Sequence, residues 1–133
     1  MKKVKAMNRD VQGDFFKLPQ FLFKEQKYEG LSDRAKIFYS MLCNKLSLSL
    51  KNEWRDEDGD TYLYFSVSEA TKILGASHST ISKIYAELEK AGLIFREKQG
   101  VGRPHRVYLT DVSKEKKKEN IASIEDMILA DYR

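Results

Sequence analysis

Apolar residues recur at helical spacing in three central stretches of the chain and cluster at strand-like spacing around them. Ser32 and Asp33 open the first clear helix, Ser32 as its cap and Asp33 as a favourable first-turn acid. Ile37, Phe38, Met41, Leu42, Leu46 and Leu48 then carry an apolar face to about residue 50, with Cys43 in or beside that core. Ahead of it, residues 14–18 (DFFKL) read as a short extended segment. Pro19 restricts Leu18 away from helix and can itself begin a helical turn in PQFLFKE. Asp58-Gly59 signals a turn, and Thr61 to Phe65 (TYLYF) has the aromatic, β-branched character of a half-buried strand.

The stretch 66–92, SVSEATKILGASHSTISKIYAELEKAG, is the most informative. Ser66 and Glu69 form a capping box, so a helix starts at about Val67, with Ala70, Ile73 and Leu74 as its buried face. Gly75 ends it, because glycine adopts the left-handed conformation without penalty. Ser77 caps a second helix whose core stripe is Ile81, Ile84, Tyr85 and Leu88, and Ala91-Gly92 closes it. A short helix, a tight glycine turn and a second capped helix are the elements of a helix-turn-helix. Leu93–Arg96 and Val107–Thr110 then read as two strands joined by a tip rich in turn residues, Gly100, Gly102 and Pro104. The predicted order is helix 32–50, strand 61–65, helix 67–75, helix 78–91 and hairpin 93–110, with the 61–65 strand joining the hairpin as a small sheet. This is an α+β chain with winged helix-turn-helix order, an N-terminal extension and a charged, helical C-terminal tail. Residues 1–110 form the predicted domain and 111–133 the appendage.

On the second helix Ser79, Thr80, Ser82, Lys83 and Glu87 lie away from the core stripe. Small polar groups near a helix N-terminus suit close approach to a DNA major groove, where hydroxyls address base edges or phosphates and free backbone N–H groups favour a phosphate. Ser77, His78, Ser79, Thr80, Ser82 and Lys83 are therefore the candidate contacts on this helix. Lys98, Arg103, His105 and Arg106 surround the hairpin tip and can follow phosphates or enter a narrow minor groove. The plainer alternatives are a capped surface helix and a solvated turn.

Charge refines this picture. The sum is only +4, from 24 basic and 20 acidic side chains. Along the chain it divides into +6 over residues 1–51, −4 over 52–60, +3 over 66–110 and −1 over 111–133. The acidic insert NEWRDEDGD masks two basic blocks, and a chain holding it away from a polyanion could still bind DNA. A calcium-loop reading of the insert fails on pattern: too few acidic ligands precede Gly59, and no Glu closes a twelve-residue loop. In the tail, SKEKKKEN is followed by Ile121, Ile124, Ile128 and Leu129 on one helical face. This segment can pack on the domain, join a dimer contact or begin a linker, and the sequence does not choose.

Composition narrows the function classes. A chain 41% hydrophobic and 33% charged is globular rather than disordered. No run of about 18 apolar residues is present, and the basic start lacks the apolar stretch of a secretory signal, so a cytoplasmic protein without a membrane partner is expected. The single cysteine excludes an internal disulfide. His78, His105 and Cys43 lack metal-ligand spacing, and G-V-G-R-P lacks the spacing and the Lys-Ser/Thr of a phosphate loop. No catalytic residues, cofactor or metal are expected, and the protein does not read as an enzyme.

Together these pieces resemble the N-terminal domain of the RepA_N class of plasmid replication initiators from low-GC Gram-positive bacteria. The resemblance is carried by F-x-K-L-P at 15–19, L-S-D-x-A-K at 31–36, Leu46–Lys51 followed by Asn52 and Trp54, the D-E-D-G run, LGASHSTISKIYAELEKAGLI and GRPHRVYL, and it spans about residues 15–110. It implies sequence-specific binding of double-stranded DNA at repeats in a plasmid origin, by a homodimer or higher oligomer that initiates replication. Ser77 to Lys83 would face the major groove, and Lys98, Arg103 and Arg106 would serve the wing. It also implies a separate C-terminal domain, absent from this chain, that engages host replication proteins. Phe15, Phe16, Phe21, Leu22 and Phe23 read equally well as dimerisation residues or as core aromatics. A winged-helix repressor would read DNA identically, so motif chemistry does not separate it from an initiator. A protein-interaction module is the alternative of another class; it would expose more apolar groups on the helix and hairpin.

Overall fold

The computed structural model describes residues 16–112. Six elements follow in order: α1 (Phe21–Lys24), α2 (Asp33–Lys51), α3 (Val67–Leu74), α4 (His78–Lys90), β1 (Ile94–Glu97) and β2 (Arg106–Leu109). A 3-10 turn at Gln26–Tyr28 joins α1 to α2. The architecture is α+β, with helices packed beside a two-stranded antiparallel sheet. None of the helices among the described residues is long and apolar enough to cross a membrane. The predicted tail helix, with Ile121, Ile124, Ile128 and Leu129, lies outside the described residues, as does Phe15.

Three serine caps start the three long helices, each as the sequence predicts. Ser32, Ser66 and Ser77 accept from the backbone N–H of Ala35, Glu69 and Thr80, satisfying donors that a helix N-terminus otherwise leaves open. Gly75 ends α3 with φ +62°, a left-handed conformation that would strain a residue bearing a side chain.

The core lies where α2, α4 and the hairpin meet. Phe38, Leu42, Leu63, Ile81, Leu88 and Leu93 are fully buried. The Phe38 ring packs edge-on against Phe65 at 5.2 Å and against Tyr85 at 5.1 Å. Tyr85 donates to the Phe65 carbonyl at 2.9 Å, which satisfies both buried groups. Burial pushes the Tyr85 phenol up to about 12, so it remains a donor at every physiological pH. Phe21 and Leu22 join the core, whereas Phe16 and Phe23 are about half exposed. Phe23 lies under the Lys36 ammonium, 4.5 Å from the ring centroid.

The periodicity overstates the apolar faces at their edges. Ile37 and Leu48 on α2, and Ile73 on α3, are exposed. In their place Ala35 and Tyr39 complete the α2 stripe, and Ala70 with the half-buried Leu74 covers α3. Cys43 sits beside the core, where burial pushes its thiol up, away from the reactive thiolate.

Residues 61–65 do not form the predicted strand. Only Leu63 pairs with the sheet, exchanging two backbone hydrogen bonds with Val107 at 2.9 and 2.8 Å. The neighbouring backbone is committed elsewhere. Tyr62 N–H donates to Trp54, the Tyr64 carbonyl accepts from Lys45 Nζ, and the Phe65 carbonyl accepts from Tyr85. With its polar groups divided among three partners, the segment has one bridge to the sheet, and another from Thr61 to Arg55, rather than a ladder.

Candidate nucleic-acid interface

Burial of Ile81, Ile84, Tyr85 and Leu88 fixes which side of α4 faces outward. His78, Ser79, Ser82, Lys83, Ala86 and Lys90 are exposed, and positions 79, 82, 83, 86 and 90 form one helical stripe. Ala86 and Lys90 belong to this stripe although the sequence reading passes over them; the signal was their spacing of three and four residues from Ser82, Lys83 and Ala86. Ser77 and Thr80 have a different position. Ser77 Oγ accepts from Thr80 N–H at 3.2 Å and donates to Thr80 Oγ1 at 3.1 Å, so both hydroxyls hold the helix N-terminus together.

The carboxylates of α4 are drawn off this stripe. Glu87, which the sequence places with the outward polar residues, is half-buried and accepts from Ser32 N–H and Ser32 Oγ, both at 2.9 Å. It thereby reinforces the cap of α2 from 55 residues away. Glu89 accepts from Arg96 Nε at 2.9 Å and Nη2 at 2.6 Å. The Arg96 guanidinium also stacks over Tyr85, 4.5 Å from its centroid. These ties fasten α4 to α2 on one flank and to β1 on the other.

β1 and β2 pair in the register Ile94↔Leu109, Phe95↔Tyr108, Arg96↔Val107 and Glu97↔Arg106. Lys98 and Arg103 are exposed in the loop joining the strands, and Val101 at its tip is fully exposed. His105 is half-buried; with Arg103 and Pro104 it lines a cleft that also includes Ser66 and Val67 at the start of α3 and Tyr85 of α4. Arg106 turns back onto the domain, its guanidinium 4.6 Å from the Tyr62 centroid. Tyr64 and Tyr108 beside it favour its charged form. The ten candidate residues thus occupy three settings: an exposed helical stripe, a helix cap, and a hairpin whose cations divide between free tip and packed base.

The acidic insert is ordered against the hairpin. Asp56 Oδ1 accepts from the backbone N–H groups of Asp58 and Asp60, both at 2.9 Å, and Oδ2 accepts from the Tyr108 hydroxyl at 2.8 Å. The Asp60 backbone bond and the Tyr108 hydroxyl hold the Asp56 carboxyl below the usual range. Carboxylate oxygens of Asp56, Asp58 and Asp60 lie within 4.8 Å of one another, but both Asp56 oxygens already accept protein hydrogen bonds. From the insert a row of rings runs Trp54, Tyr64, Tyr62, Tyr108 and Phe95, with neighbours 5.4–6.3 Å apart.

The sequence profile of the replication initiator protein A (RepA) N-terminus matches residues 14–123. The chain belongs to the RepA_N family. This RepA_N chain is similar to three solved structures. One is described as the N-terminal domain of a DNA-binding protein, at 30% identity and a TM-score of 0.66, over 90% of this chain and 97% of that one. Another is described as a Rep–DNA complex, at 30% identity and a TM-score of 0.66, over 89% and 96% of the two chains. A third, described as an MDR initiator, is 31% identical with a TM-score of 0.63, over 89% and 99%. Among curated proteins, a 41 kDa protein of Lactobacillus helveticus is 31% identical over 101 residues. That match takes in 71% of the RepA_N chain and 29% of the relative's length.

Proposed function

We propose that residues 1–110 bind double-stranded DNA as a winged helix-turn-helix, at repeated sites in a plasmid replication origin, and so initiate plasmid replication. Residues 111–133 follow this binding unit as its charged appendage. The observation that carries the reading is the composition of the outward α4 stripe. Ser79, Ser82, Lys83, Ala86 and Lys90 are small or basic, while Glu87 and Glu89 are held aside by Ser32 and Arg96. A helix of this kind approaches a major groove with its carboxylates turned off the approaching face. Similarity to the Rep–DNA complex and to the DNA-binding N-terminal domain supports the same reading.

In this reading Ser79, Ser82 and Lys83 address the major groove, with His78 at the helix start. Ser77 and Thr80 set the helix N-terminus toward a phosphate. Lys98 and Arg103 follow the backbone or the minor groove, and His105 and Arg106 hold the hairpin at the angle that presents them. Origin repeats call for more than one copy, so a homodimer or higher oligomer assembles on DNA. Host replication proteins are further partners in this reading.

The test is a footprint on the plasmid origin, joined to titrations of a repeat duplex at several salt concentrations. Protection of tandem repeats, with affinity falling as salt rises, is expected. Lys83→Ala is expected to weaken specific binding by about 1–3 kcal/mol, with a smaller effect on unrelated duplex. Arg103→Ala is expected to weaken both alike and to lower the salt slope by about one. Salt-independent binding, or protection of a lone promoter site instead of repeats, would overturn the proposal.

A further inference from the structure

The side of the domain that carries the acidic insert holds a groove of about 670 Å³ with a composition opposite to that of the α4 stripe. Its floor is apolar: Leu46 and Leu50 from the end of α2, Phe95 from β1 and Leu109 from β2. Its walls are acidic: Asp58 and Asp60 from the insert, Glu97 from β1 and Asp111 beyond β2. Lys and Arg are absent from its lining among the described residues.

The groove faces away from α4. Side chains alternate across a strand, and Arg96 points to α4, so Phe95 and Glu97 project from the opposite face of the sheet. Phe95 is 59% exposed and Leu50 52%, an apolar surface that water alone covers poorly. Carboxylates around that surface repel nucleic acid and attract a partner that is both apolar and basic.

The chain itself carries a segment with a basic start and an apolar stripe, neutral as a whole, and delivers it to this place. Thr110 and Asp111 line the groove, and Val112 is followed by Ser-Lys-Glu-Lys-Lys-Lys. Lys114, Lys116, Lys117 and Lys118 are followed by Ile121, Ile124, Ile128 and Leu129 at helical spacing. Six residues span up to roughly 20 Å when extended, enough to bring the lysines past the acidic walls and the isoleucines to the apolar floor. A tethered segment also has an effective concentration on the order of millimolar, which favours it over the same segment of a second copy in dilute solution.

We propose that residues 113–133 dock intramolecularly in this groove. The lysines pair with Asp58, Asp60 and Glu97, and the Ile121–Leu129 face covers Leu46, Leu50 and Phe95. Docking has a functional corollary: it keeps the six consecutive charges of Lys114–Glu119 off a DNA surface.

The full 133-residue chain tests this without DNA, so failure here leaves the DNA-binding reading intact. A mixture of light and isotope-labelled protein is treated at low salt with a zero-length carbodiimide crosslinker and analysed by mass spectrometry. Links from Lys116, Lys117 or Lys118 to Asp58, Asp60 or Glu97 within one chain are expected. Phe95→Ser removes an exposed side chain and spares the core; it is expected to lower their yield about tenfold, as one apolar anchor is lost. The double change Ile124→Asp with Ile128→Asp is expected to do the same from the other side, with the circular dichroism of the domain retained. Links spread evenly over distant acids such as Glu29 and Asp33 would overturn the proposal. So would links joining light to labelled chains, which would place a second copy in the groove, or a yield unchanged by Phe95→Ser.

Discussion

Tyr85 joins three parts of the fold through one side chain. Its ring packs on Phe38 of α2, its hydroxyl serves the Phe65 carbonyl before α3, and its other face carries Arg96 of β1. Tyr85→Phe keeps the ring and removes the donor, leaving a buried carbonyl without its partner. A loss of about 1–3 kcal/mol in stability is expected, measured as a lower midpoint in urea with an unchanged slope. A loss near zero would mean that water reaches the carbonyl. The sequence identifies Tyr85 as a core position by its spacing from Ile81, Ile84 and Leu88, but a period gives only a direction. It does not say which carbonyl, 20 residues away, the hydroxyl will meet. Glu87 illustrates the same limit: its position away from the core stripe is legible, while its partner Ser32, 55 residues earlier, is set by how α2 crosses α4.

At the scale of elements, local signals are read more fully than long-range ones. Ser32, Ser66 and Ser77 cap the helices they are expected to cap, because a cap is made within three residues. The α3–α4 turn is equally legible, since Gly75 alone supplies its left-handed residue. The 61–65 segment differs because strand pairing depends on a distant partner, and here Lys45 and Tyr85 compete with β2 for its backbone. The insert is tied to β2 by Asp56 and Tyr108, and this tie depends on pH. The folded-state Asp56 carboxyl titrates below its ordinary value of 3.8. The tie is therefore fully present above that ordinary value and is lost as the pH falls below it, through the lowered folded value. An NMR titration should show the Tyr108 ring signals shifting in that acidic window, and Asp56→Asn should abolish the shift. A Tyr108 shift centred near neutral pH would disprove the assignment.

Across the described residues charge is divided: basic and small residues on α4 and the hairpin tip, acidic residues around the insert. The sequence reading separates these blocks along the chain, yet it cannot tell whether the insert lies toward or away from α4. The answer depends on the Arg96–Glu89 pairing, which fixes the face of β1 that meets α4. The aromatic row from Trp54 to Phe95 makes the insert part of the same folding unit. Trp54 is the single tryptophan, so its emission reports the insert while far-ultraviolet circular dichroism reports the helices. Coincident urea transitions by the two probes are expected. An earlier Trp54 transition would make the insert an independently melting appendage.

The Glu87–Ser32 contact carries one more consequence. Ser32 sits at the far end of α2 from the insert and outside the α3–α4 unit, yet its hydroxyl and amide keep a carboxylate of α4 occupied. A substitution at Ser32 would thus change more than the start of α2. It would take from Glu87 one of its two Ser32 donors, the hydroxyl, and loosen a carboxylate at the border of the outward α4 stripe, one turn from Lys83. Sequence variation at position 32 therefore acts as a remote control on the electrostatics of α4, and natural changes there should be weighed as changes in how strongly that helix tolerates a polyanion.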